Sequence, residues 1–571
     1  MKTARLKGVN QMPRTVAVGI PDFSEIIGND YFYVDKTDFI REWWNGGDAV
    51  TLITRPRRFG KTLLLNTVDR FFSNQYKDQA KYFEGLSVWE DEKFRNLQGS
   101  VPVIFMSLAD VKQATYEGAV KQFKMLINDL YRRFSYLIES GEFTDSERKR
   151  FAAYSDEFDA DTISNSLRFL ASLLYQHYGQ KVVILLDEYD TPMQEAYVNG
   201  YWTEITQLLR SLFNSTFKTN PYMSRALMTG ITRVSRESMF SDLNNLKVIS
   251  TTTGKYETAF GFTEDEVYAA MDEYGFDDQA KAGVKQWYDG FTFGSVSNIY
   301  NPWSILNYLQ EGQFAPYWSN TSDNALASKL IREGDVELKQ DFENLLKGGT
   351  IKSKIDEQIV FGEISDKPGA IWSLLLASGC LKVVNITGDA WSGLEYELAL
   401  TNLEVRVSFL DMVSRWFGTA KSAYNQFTKA LLLCDVKAMN KYMNQVSASV
   451  FSSFDTGTHP SDSEPERFYH GFVLGLIADL KDRYYVRSNR ESGFGRYDVM
   501  LEPMDKADNA YVLEFKVHDP DDEKTLEDTV QSALAQIDEK HYVQELLDRG
   551  IPEEKIHCYG FAFEGKTVLI G

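Results

Sequence analysis

Cysteines and long apolar runs are scarce in this sequence, and each scarcity argues against a class of protein. The three cysteines among 571 residues, Cys380, Cys434 and Cys558, form no CxxC pair and no Cys/His cluster. We therefore expect three buried thiols in a reducing cytosol, not a disulfide scaffold or a structural zinc site. The longest apolar runs, such as Val182–Leu186 and Ile371–Leu376, are far shorter than the roughly 20 residues of a membrane helix. The N-terminal segment has no signal-peptide core, so we expect a cytoplasmic protein without membrane contact.

Basic residues are also scarce, because 61 lysines and arginines stand against 82 acidic residues and give a formal net charge of −21. This balance argues against broad, sequence-independent coating of nucleic acid, which usually involves a basic domain. It leaves open a small basic groove or a metal-dependent site that acts on phosphates. The composition, 43% hydrophobic and 25% charged, is that of a globular protein. At roughly 100–200 residues per domain, the length suggests about three or four domains.

Strand and helix patterns alternate over the first part of the chain. Strands are predicted at Val50–Ile53, Val101–Leu108, Lys181–Leu186 and Arg225–Gly230. Helices are predicted at Leu63–Phe72, within 112–177 and at Glu204–Phe217. This alternation is typical of an α/β domain with a parallel sheet, and we assign that domain to residues 1–262.

The pattern changes beyond this domain. Residues 263–455 are predicted to be mainly helical, as a lid or coupling region, and the polar segment Asp455–Pro465 is predicted to be a linker. The last domain, 464–571, follows an αβββαβ order. Its elements are predicted at Glu466–Asp482, near 484–488, 496–501 and 510–517, then at Thr525–Leu547 and Ile556–Phe563.

A Gly-Lys-Thr motif lies between the first predicted strand and its helix, as in phosphate-binding loops of the form G-x-x-x-x-G-K-[ST]. In such loops the backbone amides and the helix N-terminus bind phosphate oxygens, the lysine neutralises the β- and γ-phosphates, and the hydroxyl holds Mg²⁺. Arg55 stands where the first glycine is usual. The alternative is a chance motif at a helix start. We expect ATP contacts from Arg55, Arg58, Phe59, Gly60, Lys61 and Thr62.

The strand Val182–Leu186 ends in Asp187 and Glu188, which is the pattern of a second Mg²⁺-binding motif. We expect Asp187 to hold the metal together with Thr62, and Glu188 to act as the base that polarises the attacking water. Two solvated acids at a strand end are the alternative. Thr229 ends the next strand and suits a γ-phosphate sensor. Arg233 lies just beyond and suits either transition-state stabilisation or a salt bridge.

These segments resemble the bacterial AAA-ATPase-like family. The resemblance rests on Tyr33–Thr37 (YVDKT), Arg55–Thr62 (RPRRFGKT) and Asp187–Asp190 (DEYD). It also includes Thr229–Gly230, Asn244–Leu246, Phe260–Thr263, Trp287–Phe291 and Tyr300–Trp303. The resemblance covers most of residues 15–310 and implies an ATPase fold. It also implies that the loop without a first glycine is the family's own form, and that a C-terminal domain similar to PD-(D/E)xK nucleases is common.

The C-terminal sequence contains the residues that such a nuclease needs. Its site requires an Asp at the start of one strand and E-x-K on the next, where the acids bind Mg²⁺ and the lysine orients or activates the attacking water. Asp498 matches the first, and Glu514 and Lys516 share one strand face by alternation. Glu466 resembles the additional acid of related nucleases, which is also a metal ligand. Gln536 resembles the helical glutamine of the same nucleases. A salt-bridged E-x-K pair is the alternative, although burying both groups on an apolar strand is costly.

The sequence therefore predicts an α/β chain with a P-loop NTPase domain, a helical middle and a restriction-endonuclease-like domain. We expect ATP and Mg²⁺ as cofactors, with Mn²⁺ as a further metal at the nuclease site, and DNA or RNA as the partner that is cleaved. A role in defence against foreign nucleic acid is an analogy only, and homo-oligomer formation stays open. The alternatives are an ATP-dependent signalling switch that binds nucleic acid or protein without cutting, and a scaffold whose two sites are remnants.

Overall fold

The computed structural model describes residues 13–156, 158–232, 243–318, 330–331, 336–355, 369–389, 393–416, 421–450, 473, 477, 480, 483–492, 495–520, 523–564 and 567–571. The chain divides into two compact units, one of Met1–Leu330 with Thr350–Arg406 and one of Ile331–Gly349 with Val407–Gly571. The finer division into 1–262, 263–455 and 464–571 stays a prediction. Within the described ranges, no helix is long and apolar enough to cross a membrane.

The elements are numbered in chain order. Residues 13–318 form α1 (Phe23–Gly28), α2 (Asp38–Gly46), β1 (Val50–Thr54), α3 (Lys61–Phe72), α4 (Glu92–Leu97), β2 (Val103–Ser107), α5 (Tyr116–Arg133), α6 (Tyr136–Glu139), α7 (Asp145–Tyr154), α8 (Ser166–Tyr178), β3 (Val182–Asp187), α9 (Thr191–Asn199), α10 (Trp202–Phe217), β4 (Met223–Gly230), β5 (Leu246–Ile249), β6 (Phe262–Thr263), α11 (Glu264–Glu273), α12 (Asp278–Tyr288), β7 (Phe291–Phe293), β8 (Val296–Tyr300) and α13 (Pro302–Glu311). Residues 336–450 form α14 (Val336–Leu346), β9 (Ile351–Ser353), α15 (Ala370–Ala377), β10 (Leu381–Asp389), β11 (Gly393–Leu400), α16 (Leu403–Trp416), α17 (Lys421–Leu432) and α18 (Val436–Val450). Residues 483–571 form β12 (Tyr484–Ser492), β13 (Gly495–Pro503), β14 (Ala510–Val517), α19 (Leu526–Glu539), α20 (Gln544–Asp548), β15 (Ile556–Glu564) and β16 (Thr567–Ile570). Short 3-10 helices lie at Asn74–Tyr82, Ser87–Glu90, Ala160–Asn165 and Glu553–Lys555.

A five-stranded parallel sheet with the order β2-β3-β4-β1-β5 forms the centre of the first unit. The strands predicted here are confirmed to within two residues at each end, because β1 and β3 are buried along their whole length and carry an apolar signal. The edge strand β5 was missed, since only its last residue is buried. The parallel direction places the carboxyl ends of the neighbouring strands β1, β4 and β3 at one edge of the sheet, where ligands bind in α/β folds.

Two three-stranded sheets, ordered β6-β8-β7 and β10-β11-β9, interrupt the middle region. That region is mainly helical, as predicted, but its strands were not anticipated. The strands β6, β7 and β9 have only two or three residues each, which is too few to show an alternating pattern. The hairpin of β10 and β11 exposes apolar side chains, including Val384 at 53% and Ile386 at 48%, so its hydrophobicity does not mark a buried face.

The second unit contains a mixed sheet with the order β12-β13-β14-β15-β16. Only β14 and β15 are parallel, and the other pairs are antiparallel. The edge strand β16 was not predicted, and the predicted helix over Thr525–Leu547 is two helices. The chain breaks between them where His541 has a φ of 56°, a left-handed conformation that no helix continues through. The predicted linker Asp455–Pro465 and helix Glu466–Asp482 lie largely outside the described residues.

The cysteines are free thiols, as the sequence predicts, but only one of them is fully buried. Cys380 is buried, whereas Cys434 and Cys558 are half-buried. Burial raises the pKa of both Cys380 and Cys558 to about 11. These two groups are therefore weakly nucleophilic thiols near neutral pH.

Asp69 on α3 is a buried acid whose protonation links stability to pH. Its side chain is 5% exposed, and burial raises the pKa of the carboxyl to about 7 despite the nearby Arg133 and Arg70. The native state therefore keeps a proton that the unfolded chain releases near pH 4. The resulting stabilisation is present at low pH and declines as the pH rises from about 4 to about 7.

We predict that Asp69→Asn raises the melting temperature at pH 8 by about 5 °C, because a neutral amide replaces a buried charge. At pH 4 the variant and the wild type are expected to melt together. Thermal unfolding between pH 4 and pH 8 measures the difference, with the exposed Asp78→Asn as the control. An Asp69→Asn effect that is the same at both ends of the range would contradict the prediction.

Candidate functional site

The segment Arg55–Gly60 forms a loop between β1 and α3 that curls around a lysine. The Nζ atom of Lys61 donates hydrogen bonds to the carbonyl oxygens of Arg55 at 2.9 Å and Pro56 at 2.8 Å. Gly60 has a φ of 81° and Arg58 a φ of 65°, so the chain passes twice through the left-handed region. Glycine adopts that region without steric cost, which explains why a glycine precedes the helix.

The ammonium group of Lys61 lies in a buried, acidic environment. Its side chain is 5% exposed, and burial lowers its pKa, while Glu188, Asp187 and Asp190 oppose this shift in that order. A cation that has lost its water depends on nearby negative charge. The three acids therefore partly offset the burial of the Lys61 ammonium group.

Asp187, at the end of β3, accepts hydrogen bonds from two threonines. Oγ1 of Thr62, in the first turn of α3, donates to Oδ2 at 2.7 Å, and the hydroxyl of Thr229, near the end of β4, donates to Oδ1. Asp187 is completely buried, and burial raises its pKa while the two hydroxyls lower it. The structure thus brings together three of the residues predicted to surround Mg²⁺ and the γ-phosphate, and their oxygen atoms are the type of ligand that Mg²⁺ prefers.

Glu188 follows Asp187 in a left-handed conformation, with a φ of 50°. Oγ1 of Thr191 donates to its Oε2 at 3.2 Å. A left-handed non-glycine residue costs free energy, and such residues concentrate at functional sites. The left-handed backbone and the hydrogen bond from Thr191 together fix the direction of the Glu188 side chain at the end of β3.

Asp190 is a structural residue for which the sequence analysis gave no role. Its Oδ2 accepts from the amides of Ile231 at 3.1 Å and Thr232 at 2.9 Å, and from the hydroxyl of Thr232 at 2.8 Å. Asp190 therefore joins the end of β3 to the end of β4. The only sequence signal is that Asp190 is the last residue of the DEYD segment.

Arg55 does not have the role that the sequence analysis gave it. Its guanidinium is completely buried and donates to the carbonyl oxygens of Ser250 at 2.6 Å and Thr54 at 3.0 Å. It also lies 4.5 Å from the centre of the Phe293 ring, and burial lowers its pKa to about 9. This placement contradicts the expected phosphate contact, because the side chain is completely buried and directed towards backbone carbonyls. Arg55 instead fixes the loop where a glycine is usual.

Phe59 and Arg58 are also placed by packing. Phe59 is 1% exposed and contacts Phe291 and Phe293 at ring distances of 4.8 and 5.3 Å, so its side chain is a core anchor and any nucleotide contact of this residue is left to its backbone amide. The exposed guanidinium of Arg58 lies 4.1 Å over the ring of Trp303. Arg233 lies outside the described residues.

The second predicted site lies in the sheet of the C-terminal unit. Asp498 on β13 and Glu514 on β14 are linked by two hydrogen bonds, from the Asp498 amide to Oε2 of Glu514 at 3.4 Å and from the Phe515 amide to Oδ2 of Asp498 at 2.9 Å. Nε2 of Gln536 donates to Oε1 of Glu514, which is 3% exposed. Lys516 lies two residues along the same strand, on the same face.

Helix α19 brings Gln536 to this site because it packs closely on β15. A Cβ atom at Gly560 would lie only 2.7 Å from the carbonyl oxygen of Val530, so this approach requires glycine. Among the described residues, no three His, Cys, Asp or Glu side chains form a metal cluster. The acid pair Asp498 and Glu514 is present, and the predicted third acid, Glu466, lies outside the described ranges.

Two family models match the sequence. Residues 17–240 match the AAA-ATPase-like family, described as a predicted AAA-ATPase, and residues 464–571 match the PD-(D/E)XK nuclease superfamily. Both resemblances drawn from the motifs are therefore confirmed. The α/β fold class, with a helical middle and a C-terminal mixed sheet, is also confirmed.

One curated relative matches almost the whole chain. It is a protein of Azotobacter chroococcum mcd 1, "Uncharacterized protein in vnfD 5'region", 26% identical over 568 residues and covered to 96% in both chains. Solved structures include a Pyrococcus horikoshii Signal Transduction ATPase with Numerous Domains (STAND) protein with a tetratricopeptide repeat sensor. It is 12% identical with a TM-score of 0.24, over 79% of this chain and 54% of that chain. The Aeropyrum pernix ORC2 protein in ADPNP–ADP complexes is 11% identical with a TM-score of 0.23, over 71% of this chain and 97% of that chain. Neither structure is similar enough to support a conclusion about this chain.

We predict that Thr229→Val destabilises the first unit by about 1–3 kcal/mol, because it leaves a buried carboxylate without one of its hydroxyl donors. Valine has nearly the same shape, so packing is preserved. Thr216→Val is the matched control, since the buried hydroxyl of Thr216 donates only to a helix carbonyl, that of Leu212. Thermal unfolding compares the two variants. Equal losses of stability would show that the hydrogen bond from Thr229 to Asp187 contributes no more than that from Thr216 to a helix carbonyl.

Proposed function

Because residues 17–240 form an AAA-ATPase-like domain and residues 464–571 a PD-(D/E)XK nuclease superfamily domain, we propose that the protein hydrolyses ATP and cleaves the phosphodiester bonds of DNA or RNA. Mg²⁺ serves both sites, and Mn²⁺ is a further metal for the second. The main support is that Asp187 accepts hydrogen bonds from both Thr62 and Thr229. These bonds bring together residues of the Gly-Lys-Thr motif, the end of β3 and the end of β4. We further propose that the nucleotide state controls access to the nuclease site or assembly.

In the ATP reaction, the loop amides and the N-terminus of α3 bind the phosphates. Lys61 neutralises their charge from inside the loop. Thr62 and Asp187 would hold Mg²⁺, which would supply charge neutralisation for the phosphates. Glu188, held in its left-handed conformation, orients the attacking water and accepts its proton. The hydroxyl group of Thr229 donates to Asp187, which favours the ionised form of the carboxylate and fixes its position.

In the nuclease reaction, Asp498 and Glu514 would hold the metal, which would supply Lewis-acid polarisation of the scissile phosphate. Gln536 fixes one oxygen of Glu514 and so limits the rotation of that carboxylate. Lys516, on the same face of β14, orients the attacking water and stabilises the charge that develops on the phosphate. The net charge of −21 predicts that binding to nucleic acid is weak and sensitive to salt.

For the ATPase, we predict that Glu188→Gln retains ATP binding but hydrolyses ATP at least about 100-fold more slowly, since a general base contributes a factor of this size. Lys61→Ala is expected to lose ATP binding, because its charge is removed from the loop. Phosphate release measures hydrolysis, and the ATP-induced rise in melting temperature measures binding. The exposed Lys112→Ala is the control. Normal hydrolysis by Glu188→Gln would remove Glu188 from the mechanism.

For the nuclease, we predict that Lys516→Ala and Glu514→Gln each lower cleavage of labelled DNA or RNA at least about 100-fold. The assay uses Mg²⁺ and Mn²⁺ separately, with and without ATP. Lys437→Ala, an exposed lysine on α18, is the matched control. If the wild type binds nucleic acid but cleaves neither polymer with either metal, the protein is a switch and not a nuclease. Cleavage that survives Lys516→Ala unchanged would place the activity elsewhere.

A further inference from the structure

The carbonyl oxygen of Arg57, in the middle of the phosphate loop, is held by two side chains from outside the matched ATPase region. Nδ2 of Asn301 donates to it at 3.3 Å, and Nε1 of Trp318 donates to it at 3.0 Å. Both residues lie beyond residue 240, where the family match ends. The middle region therefore contacts the loop directly and fixes one of its peptide groups.

This contact determines the direction of a backbone amide. The structure contains no cis peptide bond within the described residues, and in a trans peptide the C=O and N–H groups point in opposite directions. The Arg58 amide, which shares a peptide group with the Arg57 carbonyl, therefore points away from Asn301 and Trp318. Lys61 fixes the two preceding carbonyls in the same way, although one of these precedes Pro56, which has no N–H group.

The two donors are themselves held firmly. Asn301 is completely buried, and its Oδ1 caps helix α13 by accepting from the amides of Trp303 at 2.9 Å and Ser304 at 3.4 Å. Glu404 is also completely buried. Its carboxylate accepts from the amide of Trp318 at 2.6 Å and from the hydroxyl of Ser304 at 2.8 Å. The two donors to Arg57 are thus connected through one buried carboxylate.

Aromatic packing fixes the loop at a second point. The ring of Trp318 contacts Phe291 at 5.6 Å, and Phe291 also contacts Phe59 of the loop at 4.8 Å. Residues 57 and 59 of the loop are consequently held by one small group of side chains from the middle region. The side chain of Arg58, between them, remains exposed.

We propose that Trp318 and Asn301 are positioning residues for nucleotide binding, which direct the Arg58 amide of the loop towards the phosphates of ATP. Glu404 supports them by holding the backbone of Trp318 and the first turn of α13. This inference rests on the proposed binding of ATP at the loop. It gives the middle region a defined part in that binding, through hydrogen bonds that neither reach the reacting atoms nor move a proton.

The test compares Trp318→Phe and Asn301→Ser in the full-length chain. Phenylalanine keeps the aromatic packing and removes the Nε1 donor. Serine remains a neutral helix cap and is too short to reach Arg57. We expect each variant to bind ATP about fivefold more weakly, the effect of one lost hydrogen bond. The loss of ATP affinity in the double variant should be smaller than the product of the two single losses, because both donors bind the same carbonyl oxygen. Trp287→Phe, at a half-buried tryptophan that stacks on Phe314, is the matched control.

Calorimetric titration gives the ATP affinity, and thermal unfolding without ATP reports any loss of stability. A purely structural role would lower the melting temperature and leave the affinity of the folded protein unchanged, which would overturn the proposal. In steady-state kinetics we expect KM to rise and kcat to stay constant. If Trp318→Phe does not fold, Asn301→Ser decides. Failure of the wild type to bind ATP would instead refute the proposed function, and this inference with it.

Discussion

The buried carboxylate of Asp187 is the constraint on which the rest of the candidate ATP site depends. A carboxylate without water is tolerated only when its oxygens are hydrogen-bonded, and the hydroxyls of Thr62 and Thr229 provide these bonds. The two threonines belong to α3 and β4, so the pairing of β3 with β4 and the entry angle of α3 must both be correct. The same arrangement places Lys61 beside Asp187 and Glu188, whose negative charges partly offset the burial of its ammonium group.

In the RPRRFGKT segment, some side chains are buried and support the loop, and the sequence alone does not show which ones. The side chains of Arg55 and Phe59 are turned into the protein, whereas the nucleotide-binding roles of the glycine, the lysine and the threonine stay predictions. Burial lowers the pKa of Arg55, and the negative charge of Glu257 partly offsets this shift. The missing first glycine is therefore replaced by a buried guanidinium that holds the loop entrance.

The C-terminal site also contains a buried carboxylate, that of Glu514, which accepts a hydrogen bond from a side chain on another element. The strand YVLEFKV is apolar on the face of Leu513 and Phe515, and Glu514 lies on the other face, towards α19. Gln536 reaches it because Gly560 lets the helix approach β15. Some acidic residues of the chain lie at these two sites, but these few carboxylates account for little of the net charge of −21.

The sequence alone determined the central strands and the two domain types. These features depend on local information: apolar runs buried on both faces, a glycine before a helix, and acids two residues from a lysine on one strand. The tertiary structure decided what local patterns cannot express. It placed Arg55 and Phe59 in the core, paired the short strands of the middle region, and brought Asn301 and Trp318 to the loop. Contacts between residues about 250 positions apart along the chain depend on how the elements pack, and no local pattern specifies them.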